Sequence, residues 1–206
     1  MHTAILTFDG YNELDSLIAL GVLNRVTEPG WRVSIASPAP RVTSMNGVTI
    51  DAVIDLEEAC TADAVIIGSG AKTREVVEDP AIMRTLARLD PARQLLAAQC
   101  SGTLVLAKLG LLADVPACTD LTTKPWVLAA GVEVLNQPFF ARGTLATAGG
   151  CLASTYLATW VLARLRGLDA AEHAMHYVAP VGEKDEYVSR ALRNVTPYLE
   201  PAAASA

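Results

Sequence analysis

Between Leu95 and Leu106 the chain reads Leu-Leu-Ala-Ala-Gln-Cys-Ser-Gly-Thr-Leu-Val-Leu: an apolar strand pattern that passes into an apolar helical pattern with one thiol, Cys100, at the junction. No loop separates the two. A backbone that turns from strand to helix in one residue forces that residue's side chain out of both elements. Small residues are then needed two positions before and two after it, as in the nucleophile elbow of serine hydrolases. Ala98 and Gly102 meet that need. A buried structural cysteine is the ordinary alternative for a free thiol, but it does not call for this flanking pattern.

The elbow requires a sheet whose strands feed helices, and the rest of the chain has that rhythm. Thr3 to Phe8, Trp31 to Ser37, Ala64 to Ile67 and Gln94 to Gln99 read as strands, with a further short strand expected around Cys118. Helical patterns run over Asp15 to Val26, from about Pro80, over Ser101 to Leu112, from Cys151 to Leu165, over Ala170 to His176 and over Glu183 to Arg193. The alternation predicts an α/β fold, a doubly wound, mostly parallel sheet with helices on both faces. Val42 to Ala52, turning at Asn46-Gly47, and Phe139 to Ala148, turning at Arg142-Gly143-Thr144, read as hairpins or paired edge strands. At 206 residues one domain over 1–198 is expected, with 199–206 a frayed tail.

Charge narrows the partners. Sixteen basic against 22 acidic residues give a net charge of −6, and no Lys/Arg-rich block is present, which disfavours nucleic acid and anionic membrane surfaces. A small-molecule substrate fits better. With 51% hydrophobic and only 18% charged residues, apolar surface is expected to be buried between subunits as well as inside them. The N-terminal residues enter a strand pattern directly, with no signal-peptide pattern, so a cytoplasmic location is expected. Cys60, Cys100, Cys118 and Cys151 show neither a Cys-x-x-Cys pair nor the density of a disulfide scaffold. No metal and no cofactor is expected.

Ligands of open parallel sheets bind beyond the carboxyl ends of the strands, so the loops that follow the strands hold the candidate site residues. Cys100 is the candidate nucleophile, its thiolate favoured by the helix that begins beside it. In the first loop Asp15, flanked by Leu14 and Leu17, is the candidate acid, partly desolvated and able to keep a proton; it reads equally as a first-turn acid facing the helix dipole. Glu13 reads as solvated. In Gly68-Ser69-Gly70-Ala71 the Gly70 N–H, together with the Ser101 N–H, is a candidate oxyanion hole. Asp120 and Thr122, with Thr119 and Thr123, are candidate hydrogen-bonding groups for a ligand. No histidine falls in these loops; His173 and His176 stand three apart on a late helix, a spacing that fits a solvated face better than a metal site.

Taken together, Phe8-Asp-Gly-Tyr-Asn-Glu-Leu-Asp15, Ile66-Ile-Gly-Ser-Gly70, Glu78-Asp-Pro80, the Ala98-to-Leu106 elbow and Ala148-Gly-Gly150 resemble the ThiJ/PfpI superfamily over about residues 3 to 195, and most closely its isonitrile hydratase branch. The resemblance implies a flavodoxin-like fold, a homodimer, Cys100 as the elbow nucleophile and Asp15 as its acid. Relatives usually carry Gly-Gly where this chain has Ser69-Gly70, and many place a histidine where Asp120 stands, a departure that weakens a protease-like Cys–His pair. Three functions follow. One is hydration of an isonitrile to an N-substituted formamide, with Cys100 attacking the isonitrile carbon and Asp15 moving protons. Another is cofactor-independent glyoxalase or deglycase action on reactive carbonyls, and the third a non-enzymatic redox role through oxidation of Cys100.

Overall fold

The computed structural model describes residues 1–199. The tail expected at 199–206 lies, from residue 200 on, outside the described residues.

Six strands form the main sheet: β1 (His2–Leu6), β2 (Arg32–Ala36), β5 (Ala64–Ile67), β6 (Leu95–Gln99), β7 (Phe139–Arg142) and β8 (Leu145–Ala148), in the order β2-β1-β5-β6-β8-β7. All neighbours are parallel except β7, which pairs antiparallel with β8 at the edge. The apolar runs are continuous because both faces are covered. Ala4, Leu6, Val65, Ile67, Leu96 and Ala98 face one core, closed by α2 (Leu56–Ala59), α3 (Thr73–Glu78), α4 (Pro80–Leu86), α5 (Gly102–Lys108) and α6 (Lys124–Ala129). Their neighbours Ile5, Ala64, Ile66, Leu95 and Ala97 face the other, closed by α1 (Glu13–Leu23), α7 (Ser154–Arg166), α8 (Leu168–Val178) and α9 (Lys184–Val195). Trp160, fully buried, anchors the second core. The expected doubly wound α/β architecture is present.

Topology places the site. From β1 the chain steps outward to β2, passes through the small antiparallel hairpin β3 (Arg41–Thr43) and β4 (Thr49–Asp51), and returns to β5 on the other side of β1. The crevice beyond β1 and β5 is therefore a topological switch point, where such sheets bind ligands.

Some elements depart from the sequence reading. The segment around Cys118 forms no strand: Ala117 makes a single bridge to Val134, and the Cys118 N–H donates to the Thr147 hydroxyl at 2.8 Å. The place beside β6 is taken by β8, with Leu96 opposite Leu145 and Gln99 opposite Ala148, so β8 is an interior parallel strand. Helix α5 stops at Lys108 instead of Leu112 because Gly110, at φ +74°, turns the chain into the left-handed region that ends helices. Helices α2, α3 and α6, of four to six residues, are too short to show a period.

Candidate active site

Cys100 lies at the carboxyl end of β6 with φ +44°, a left-handed conformation that costs a residue with a Cβ about 1–3 kcal/mol. The elbow is pinned on both sides. Its N–H donates to the Ala148 carbonyl at 2.8 Å, and the Thr119 hydroxyl donates to its carbonyl at 2.7 Å. Gly102 explains the small-residue rule: a Cβ there would lie 2.4 Å from the Ile67 carbonyl oxygen.

The loop after β1 brings in the acid. Asn12 caps α1, its side chain accepting from the Leu14 N–H at 3.1 Å, so Asp15 falls in the first turn and points inward. Asp15 is completely buried. Its carboxylate accepts from the Ser69 hydroxyl at 2.5 Å and the Ser16 hydroxyl at 3.3 Å. Burial lifts its pKa to about 6, against the opposing effects of Ser69, Ser16 and the facing Cys100 thiol. Asp15 thus points inward with a raised pKa, whereas its sequence reading left a first-turn acid facing the helix dipole equally open. Glu13 is half-buried instead of solvated; its own N–H and the Asn46 and Ser44 side chains hold its carboxyl below the usual range.

Two expectations are corrected. Burial, then the Asp15 carboxylate and Cys151, push the Cys100 thiol well above the usual cysteine range, and the opposing Gly150 N–H does not offset them. The start of α5 is thus not enough to make a resting thiolate: the helix has only seven residues, and a buried carboxylate oxygen lies within 4.8 Å of the sulfur. The two shifts favour the neutral thiol on Cys100 over a resting thiolate. The second correction concerns Gly70. Its N–H is not free for an oxyanion but donates to the Ser101 hydroxyl at 3.0 Å, and that hydroxyl also meets Thr73 Oγ1 at 2.7 Å. Gly70 is there because a Cβ would strike the Gly10 carbonyl oxygen at 2.7 Å. The Ser101 N–H has no partner among the described residues.

A pocket of about 300 Å³ opens over the thiol, lined among others by Asp120, Thr122, Met45 and Trp126. Asp120 and Thr122 do reach it, but the Asp120 carboxylate also accepts from the Thr122 and Thr123 N–H groups, both at 2.9 Å, and so organises the start of α6. No histidine lines the pocket; His173 and His176 are exposed on α8. The residues that sequence reasoning missed are Gly150, Cys151 and Asn12. Asn12 Nδ2 donates to Cys151 Sγ at 3.2 Å, and Asp15, Cys100 and Cys151 bring one potential ligand atom each within 4.8 Å of one another. The rule of collecting residues after each parallel strand finds Cys151 as soon as β8 is placed inside the sheet.

Fold and site together define a flavodoxin-like α/β protein with a cysteine elbow faced by a buried acid. The DJ-1/PfpI family model matches residues 1–164. The chain belongs to the DJ-1/PfpI family, which includes proteases, hydratases and glyoxalases as well as proteins that are not enzymes. Similar solved structures include Schizosaccharomyces pombe DJ-1, 15% identical with a TM-score of 0.75, covering 87% of this chain and 100% of that one. A DJ-1 superfamily protein of Salmonella typhimurium is 24% identical with a TM-score of 0.75, covering 87% and 98%. A ThiJ/PfpI family protein from Pseudomonas syringae is 17% identical with a TM-score of 0.73, covering 95% and 87%. No curated protein sequence matches the chain. Among the described residues no helix is long and apolar enough to cross a membrane.

Proposed function

We propose that the protein hydrates an isonitrile to an N-substituted formamide. The observation that carries this reading is the pair of Cys100 and the buried Asp15 in a pocket without an imidazole. Hydration of an isonitrile needs a nucleophile, a water and a carboxylate that relays protons between them. The Cys100 thiol gives its proton to Asp15 as sulfur bonds to the terminal carbon, and Asp15 delivers that proton to the same carbon, leaving a thioimidate. Water then adds to that carbon while Asp15 takes one of its protons. Asp15 passes that proton to nitrogen, the carbon–sulfur bond breaks as the hydroxyl becomes the carbonyl, its proton returns to sulfur, and the formamide departs.

The pocket supports a neutral substrate with an apolar substituent. Met45, Ala71 and Trp126 supply apolar wall, while Asp120 in the lining and Asp15 behind the thiol repel anions. The Ser101 N–H, aided by Gly150, would serve developing negative charge in place of Gly70. Asp120 and Thr122 shape the mouth. A homodimer, common in the family, is part of the same reading. The test is proton NMR of purified protein with an alkyl isonitrile: formamide signals that vanish in Cys100→Ala are expected. Absence of formamide at saturating substrate overturns the assignment, and lactate from methylglyoxal under the same conditions would put carbonyl chemistry in its place.

A further inference from the structure

The hydration chemistry uses one sulfur, yet the pocket holds two. Cys151 Sγ lies within 4.8 Å of both Cys100 Sγ and an Asp15 carboxylate oxygen, lines the same pocket and is only half-buried. Cys60 and Cys118 are buried and line no part of it. Asn12 spends its amide N–H on Cys151 Sγ at 3.2 Å, a contact that orients the sulfur. Cys151 opens a single 3-10 turn, Cys151–Ala153, directly after Gly150 at φ +91°. A disulfide needs its sulfurs about 2.05 Å apart. Rotating one Cα–Cβ bond to another staggered well moves a sulfur by roughly the remaining gap.

We propose that Cys151 is a resolving thiol: when a hydroperoxide oxidises Cys100, Cys151 closes a reversible Cys100–Cys151 disulfide across the pocket. In the first step Cys100 sulfur attacks one peroxide oxygen, the sulfur–oxygen bond forms and the oxygen–oxygen bond breaks. Asp15 takes the thiol proton and hands it to the departing oxygen, which leaves as water or an alcohol, with Cys100 as a sulfenic acid. In the second step Cys151 sulfur attacks Cys100 sulfur, the sulfur–sulfur bond forms and the sulfur–oxygen bond breaks. Hydroxide leaves and takes the Cys151 proton as water. Two thiol–disulfide exchanges with a dithiol return both cysteines to thiols and leave the dithiol oxidised. Closing the disulfide removes the nucleophile from the pocket and shields it from further, irreversible oxidation.

The proposal is independent of the isonitrile reading, since it needs only the two sulfurs and the acid. It is tested by treating the whole protein with two equivalents of hydrogen peroxide, enough to carry one thiol to a sulfinate, alkylating at low pH, and mapping peptides by mass without reduction. Wild type is expected to lose two thiols, to yield a linked peptide containing Cys100 and Cys151, and to recover both on dithiothreitol treatment. Cys151→Ser is expected to gain two oxygens on Cys100 under the same conditions, irreversibly. Wild type that carries a Cys100 sulfinate while Cys151 remains alkylated by the reagent overturns the proposal, as does identical product in the two proteins. A linkage between chains, read from doubled mass on non-reducing gels, overturns it as well.

Discussion

Asp15→Asn separates what the buried acid does for chemistry from what it does to stability. In the native protein its pKa is about 6, against 3.8 for an ordinary aspartate, because burial penalises the charged form. The native state thus holds a proton between about pH 4 and pH 6 that the unfolded state has released. Stability falls as pH rises through that window and is level above it. At about 1.4 kcal/mol per pH unit, keeping Asp15 ionised at pH 7 costs the fold about 3 kcal/mol. An asparagine keeps the shape and can still accept from the Ser69 hydroxyl, but carries no charge. Asp15→Asn is therefore expected to be more stable than wild type at pH 7 by up to about 3 kcal/mol, and the difference should shrink to near zero by pH 4. Urea denaturation of both proteins from pH 4 to 8 measures it; the difference between them cancels the other carboxylates. Removing the carboxylate also removes the second-largest influence holding the Cys100 thiol up. Alkylation of Cys100 by iodoacetamide should then extend to lower pH, while formamide formation is lost for want of a proton carrier. A variant less stable than wild type at pH 7, with the same pH slope, refutes the reasoning and reduces Asp15 to a packing element.

Cys100→Gly should be more stable than Cys100→Ala by about 1 kcal/mol, because only glycine takes φ +44° without strain; equal melting temperatures would contradict that. Both should be inactive. Gly102→Ala would set a Cβ 2.4 Å from the Ile67 carbonyl oxygen, so calorimetry should show a loss of roughly 1–3 kcal/mol. Unchanged stability there would mean that α5 can slide away from β5. Gln99, with both amide atoms enclosed and without a partner among the described residues, should be replaceable by Met with a gain of about 1–3 kcal/mol; a loss would show that the amide is satisfied.

The sheet was legible because its strands are buried on both faces and read as apolar runs, and the elbow because a strand-to-helix turn leaves a size constraint at Ala98 and Gly102. Asp15 could be read from the apolar flanks of a helix start. The Gly70 N–H was not: its partner is a hydroxyl at position 101, and nothing in a Gly-Ser-Gly run reports where a distant serine points. Cys151 was hidden by the misplacement of one strand. Phe139 to Ala148 carries the turn signal of a hairpin, and a hairpin signal does not say that its second strand also pairs with β6 on the other side. The acidity of Cys100 was misjudged for a related reason. A helix dipole can be guessed from the residue order, whereas the approach of a buried carboxylate is a product of the sheet.

The hydrogen bond from Asn12 to Cys151 spans 139 positions of sequence. During synthesis Cys100 leaves the ribosome well before β8 and the turn that carries its neighbours Gly150 and Cys151. The elbow thiol therefore spends the interval beside a half-built sheet, able to meet cellular electrophiles and foreign thiols before its pocket exists. Domains that emerge in this order fold as units once the late strand arrives. A chain stalled before residue 145 should then present a cysteine with ordinary solution reactivity, and completion of the last parallel strand is the event that tames it.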